Sequence, residues 1–148
     1  MSQIPARPTV TEAMILAAAE VVAAKIDADA ATIAEYYEHP TDGFELAKAL
    51  DKWAGWDTAR EDMEALDEVE SLVRSALAAA EKQWFAEHDI QPPFPVGAKL
   101  QCRSGIVGSI AGIYQYQPAY FEVKPDGQDD AASGSRRLLI KFEDAVAA

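Results

Sequence analysis

Residues 55–88 read GWDTAREDMEALDEVESLVRSALAAAEKQWFAEH, and residues 90–95, IQPPFP, follow almost at once. In the first segment Met63, Leu66, Val69, Val73, Leu77, Ala80 and Trp84 recur at steps of three and four, the period of a helix with one apolar face. Asp57 or Thr58 starts the pattern. Two features could divide it. Asp62 falls on the apolar face, where a buried charge is costly, and Asp67 with Glu70 can form a capping box. The segment is therefore either one long helix or a short one ending near Leu66 and a second from Glu68 to His88. The three prolines that follow cannot continue a helix and read as an extended connector. Beyond them the apolar period changes from 3.6 to 2.

Upstream of Gly55 the chain reads as helices separated by turns. Met1–Pro8, with Pro5 and Pro8, is an extended arm. Thr9 is placed as an N-cap with Glu12 as its partner three residues on, and Met14, Ile15, Ala18, Val21, Val22 and Ile26 follow at helical spacing. Asp27 or Asp29 can cap a short second helix bearing Ile33, Tyr36 and Tyr37, which Pro40 ends. Asp42 with Glu45 caps a third, carrying Phe44, Leu46, Ala47, Leu50 and Trp53. Gly55 suits its left-handed C-terminal residue, and Trp56 the corner that follows.

Downstream, Lys99–Arg103, Ile106–Tyr114, Ala119–Lys124 and Arg136–Phe142 read as strands. Ser104-Gly105 is a turn, Gly108 and Gly112 are bulge or bend sites, PDGQDDAASGS (125–135) is a polar loop, and Glu143–Ala148 is a terminal turn. Short strands with glycines at bends suit a small barrel. The stretch Val96-Gly97-x-Lys99, then Ser104-Gly105-x-Val107-Gly108-x-Ile110, then Tyr120-Phe121-x-Val123, resembles the SH3-like small barrels of the KOW and Tudor type. That resemblance covers the last third of the chain. It implies a binding or assembly module without naming the ligand. The whole arrangement, an acidic helical part with Thr41-Asp42-Gly43-Phe44-Glu45-Leu46-Ala47-Lys48 followed by a barrel, resembles the small accessory proteins encoded by phages and prophages. The expected fold is therefore α+β. It comprises an acidic helical region (1–90), a proline-rich hinge (91–95) and a small SH3-like antiparallel β-barrel (96–148).

Charge separates the two parts. The formal net charge of the 148 residues is −12. Residues 1–94 hold 7 Lys and Arg against 19 Asp and Glu, and residues 95–148 hold six of each. The whole excess lies in the helical part. Such a balance disfavours direct contact with nucleic acid or anionic membranes and favours a basic protein partner. One cysteine, Cys102, allows no intramolecular disulfide and fits a reducing compartment. The alanine-rich run 13–24 is interrupted by Glu20 and preceded by Glu12, which does not fit a signal peptide. No apolar run approaches the ~20 residues needed to span a bilayer. A cytoplasmic location is the expectation.

Candidate chemistry is sparse. On one continuous helix Asp57, Glu61, Glu64 and Glu68 form a like-charged row opposite the apolar face. Like charges at this spacing oppose helix stability by a few tenths of a kcal/mol, roughly, per pair. The row is either a solvated face or a contact for a basic, nucleic-acid-associated protein, imitating phosphate spacing. Paired-carboxylate catalysis needs two carboxyls facing across a cleft, which acids on one face do not supply. His39, His88 and Cys102 stand apart in sequence, so no metal set is expected, and the two histidines suit helix ends. No Gly-Lys-Ser or Gly-Lys-Thr phosphate loop occurs, and no nucleophile stands in a recognisable triad. In the barrel, Tyr114 and Tyr116 share one strand face, and with Arg136 and Arg137 they make a possible face for a peptide or single-stranded nucleic acid. The reading is a non-enzymatic interaction protein without a cofactor. It docks by its acidic helical surface on a basic host protein, which it inhibits or modulates. A barrel-centred binding module is the alternative.

Overall fold

The computed structural model describes residues 4–102, 105–127 and 137–148. Four helices precede a four-stranded antiparallel sheet, so the protein is α+β. The packing forms two compact units. One is Pro8–Ala80, and the other joins the N-terminal arm Met1–Arg7 to Glu81–Ala148.

The helical unit contains α1 (Glu12–Ile26), α2 (Ala30–Tyr36), α3 (Gly43–Trp53) and the greater part of α4 (Arg60–Glu87). Short polar side chains set the starts. Thr11, not Thr9, caps α1 by accepting from the Met14 amide at 3.2 Å. Asp29 caps α2 through Thr32, and Asp42 caps α3 through the Glu45 amide at 2.8 Å. Asp27 instead ends α1 in the left-handed conformation, at φ 50°. Gly55, at φ +75°, ends α3, where the Trp56 amide reaches back to the Leu50 carbonyl at 3.1 Å. Trp56 packs into the corner that follows. Val22, Ile33, Leu46, Leu50, Leu66, Val69 and Val73 form the fully buried centre.

α4 is a single helix, and both features that could have broken it have other uses. Asp62 is only half-buried, and its carboxylate accepts from the Ala59 amide at 3.0 Å, closing the start of the helix. Asp67 makes no capping box with Glu70. It accepts from the Gly43 amide at 2.8 Å and so serves the start of α3. Thr58 lies outside the helix because Asp51 holds both its amide and its hydroxyl at 2.9 Å.

The sheet unit contains β1 (Lys99–Gln101), β2 (Val107–Ile113), β3 (Tyr120–Pro125) and β4 (Leu138–Lys141), hydrogen-bonded in that order. The expected strand starts at Ile106 and Ala119 each shift inward by one residue, and the expected start at Arg136 lies outside the described residues. A 3-10 turn, Phe142–Asp144, follows β4. The last residues then return to β1: Gln101 donates to the Val146 carbonyl at 2.8 Å, and Ala148 donates to Lys99 at 3.1 Å. Leu100, Ile110, Phe121, Val123 and Phe142 fill the interior with Trp84 and Ile90. Gly108 packs so closely on β3 that an added Cβ would lie 2.6 Å from Val123 Cγ1. The ladder slips between Ile110 and Gly112, which puts the bulge at Ala111.

The compact units meet in sequence between Ala80 and Glu81. That point falls within α4, because Trp84 and Phe85 are apolar and bury with the sheet, not with the other helices. The arm also belongs to the sheet unit, where Ile4 packs on the same cluster.

Candidate functional site

In the helical unit the expected acidic row is present but is not a uniform stripe. Glu61, Glu64 and Glu68 are exposed on α4, while Asp57 precedes the helix. Glu64 lies 3.4 Å from Arg60, and Glu68 pairs with Lys25 of α1. Asp57 joins a different group. With Asp27, Asp29 and Asp62 it borders a pocket of about 340 Å³ beside the Trp56 ring. Two of those acids are already engaged as helix caps, Asp29 with Thr32 and Asp62 with Ala59. Pro8–Ala80 contains 16 Asp and Glu against 5 Lys and Arg, so −11 of the −12 resides in this unit.

The same unit holds a polar knot that the sequence did not announce. Tyr37 is buried at the end of α2, and its hydroxyl donates to Glu70 of α4. Glu70 also accepts from the Thr41 amide at 3.3 Å and from Arg74 at 3.0 Å. His39 Nδ1 lies 3.0 Å from the Tyr37 oxygen and 3.3 Å from Glu70. His39 therefore serves this knot, not a helix dipole. Burial and the bond to Glu70 push the Tyr37 phenol well above its ordinary pKa. Burial works against the Glu70 charge, but the donors Tyr37, Thr41 and Arg74 outweigh it and hold that carboxyl below its ordinary value.

In the sheet unit Tyr114 and Tyr116 lie beyond the end of β2, not on a strand face, and meet edge to face with centroids 5.4 Å apart; Tyr116 is 72% exposed. Tyr114 also meets Tyr120 at 6.4 Å. Arg137 is exposed just before β4, and Arg136 lies outside the described residues. Ile113 and Val96 are exposed beside a shallow pocket bordered by Pro92, Pro93, Phe94 and Pro95. Cys102 is half-buried. Burial and nearby Asp126 raise its pKa, which disfavours a reactive thiolate.

The best-organised polar arrangement is one that sequence reasoning missed. The Arg7 side chain, only 7% exposed, lies over the rings of Trp84 and Tyr120, its guanidinium carbon 4.8 and 4.7 Å from their centroids. Its Nε and one terminal nitrogen grip Glu143 as a fork at 2.8 and 2.9 Å. The other bonds go to the Pro118 carbonyl at 2.9 Å, the Ala119 carbonyl at 2.8 Å and buried Glu81 at 3.4 Å. Ala119 holds a positive φ of 60° at this point, a conformation an alanine enters only under constraint. Burial opposes the Arg7 charge, but Glu143, Tyr120 and Glu81 more than compensate, raising its pKa. Glu143 in turn is held below its ordinary value: burial opposes its charge, and the Arg7 bond prevails. The Trp84 indole N–H is buried without an acceptor among the described residues.

Among the described residues no group of three or more His, Cys, Asp or Glu is placed to hold a metal ion. None of their helices is long and apolar enough to cross a membrane. No protein-family model, curated protein or solved structure matches the chain.

Proposed function

We propose that the protein is a non-enzymatic interaction factor that docks on a basic, nucleic-acid-associated protein through the acidic surface of its helical unit. The carrying observation is the concentration of −11 in Pro8–Ala80, with Glu61, Glu64 and Glu68 exposed along the first turns of α4. A surface of that sign raises the encounter rate with a basic partner and makes the association salt-sensitive. Inhibition or modulation of the partner, in the manner of a phage-type accessory protein, is the effect that this reading assigns to the contact. The test is affinity capture from the native host with the wild-type chain and with Glu61, Glu64 and Glu68 all changed to Gln. The wild type retains a basic protein that elutes with rising salt, and the triple variant retains it less and with a flatter salt response. Equal retention and an equal salt response by both would overturn the reading.

A second reading places binding on the sheet unit. It is favoured by the exposed Tyr116 packed on Tyr114, an aromatic surface suited to a peptide or to stacked bases. Tyr116→Ala then weakens capture, and the triple Gln variant does not.

A further inference from the structure

A guanidinium has five N–H donors in a flat fork and two faces. Around Arg7 the described structure supplies five acceptor contacts: two from Glu143, one from Glu81, and the carbonyls of Pro118 and Ala119. The guanidinium carbon also lies over an indole and a phenol ring. This arrangement reads the whole head group, and the desolvation cost of a buried charge makes so complete a set of partners necessary.

The occupant is carried on a segment remote in sequence from the walls of the site. Arg7 lies in an extended, proline-flanked arm, and its side chain makes the hydrogen bonds that hold the arm to the sheet unit. The site walls come from elsewhere: the last turns of α4, the segment entering β3 and the turn after β4. The receptor and its ligand are thus distinct pieces of chain joined through more than seventy residues (Arg7 to Glu81, 74 apart).

We propose that Trp84, Tyr120, Glu81 and Glu143 form a binding site for a peptidyl arginine, which Arg7 fills in cis and which an arginine on an extended segment of a partner protein fills when the arm is released. Aromatic faces with a bidentate carboxylate select arginine over lysine, because an ammonium cannot engage Glu143 as a fork or stack flat on a ring. This site is independent of the acidic face of the helical unit, so failure of either proposal leaves the other standing.

The probe is a synthetic peptide of residues 2–10, SQIPARPTV, added to the full-length Arg7→Ala variant. Titration calorimetry should detect binding, and the peptide should raise the melting temperature of this variant while leaving the wild type, whose site is filled, unchanged. A peptide with Lys in place of its arginine should bind at least about tenfold more weakly. Adding Glu143→Gln to Arg7→Ala should abolish binding. Should Arg7→Ala not fold, Arg7→Lys retains the charge without the fork and takes its place in the titration. A folded variant that does not bind the peptide, or that binds the lysine peptide equally well, overturns the proposal.

Discussion

Gly43 lies directly on the backbone of Asp67: its amide donates to the Asp67 carboxylate at 2.8 Å, and a Cβ at Gly43 would meet Asp67 Cα and N at 2.6 Å. The first turn of α3 can approach α4 this closely only because residue 43 has no side chain. Gly43→Ala must separate the two helices and loosen the packing of Leu46 and Leu50 behind them. The expected loss is about 1–3 kcal/mol, the usual cost of overpacking. Urea unfolding followed by circular dichroism measures it, and an unchanged midpoint would show that the helices part freely.

Tyr37→Phe removes one of three donors to Glu70 and leaves the Thr41 amide and Arg74. Burial of the ring is retained, so the loss reports the contacts of the hydroxyl with Glu70 and His39, about 1–2 kcal/mol. Chemical denaturation at neutral pH gives the value.

Stability should fall at both ends of the pH range, for reasons that can be assigned. Glu70 and Glu143 have lowered folded-state pKa values, so their contribution is present above their unfolded value of about 4.5 and is lost as pH falls through the depressed folded values. Tyr37 has a raised value, so its contribution is complete below the unfolded phenol pKa of about 10 and is lost as pH rises beyond it. Melting temperature against pH should therefore plateau between, and Tyr37→Phe should flatten the alkaline limb and also soften the acid limb, because it removes a donor that lowers the Glu70 pKa. An alkaline limb as steep in that variant as in the wild type would remove Tyr37 as its cause.

Gly55 holds φ +75° with open space around its α-carbon. Gly55→Ala therefore meets no steric neighbour and costs only the left-handed conformation, about 1 kcal/mol. Gly43→Ala and Gly55→Ala together separate crowding from backbone strain in thermal melts. A larger loss at residue 55 than at residue 43 would contradict this account.

The α+β succession was legible because its signals are local. The 3.6 spacing from Met63 to Trp84, the caps Asp29 and Asp42 and the left-handed Gly55 each act within a turn of chain. What escaped depends on distant partners. Asp62 and Asp67 look like interruptions of α4 until Ala59 and Gly43 are seen to use them. Glu81 stands at a helical position like any solvated acid, yet it is 7% exposed because Arg7 reaches it. An arginine between two prolines in an N-terminal arm gives no sign of the two rings it will lie over. Of the expected contact residues, Tyr114 and Tyr116 do meet, whereas Asp57 parts from Glu61, Glu64 and Glu68 because the turn held by Asp51 keeps it off the helix.

The bulge at Ala111 leaves an arithmetic mark. Lys124, Val123, Glu122 and Phe121 are consecutive, and they face Ser109, Ile110, Gly112 and Ile113 without a gap. Ala111 is surplus to the ladder, so a chain lacking it would keep every pair of this hairpin. A relative of this protein is therefore better sought by its pattern of strand partners than by fixed intervals between glycines and valines, since the interval across β2 can shorten by one while the sheet stays the same.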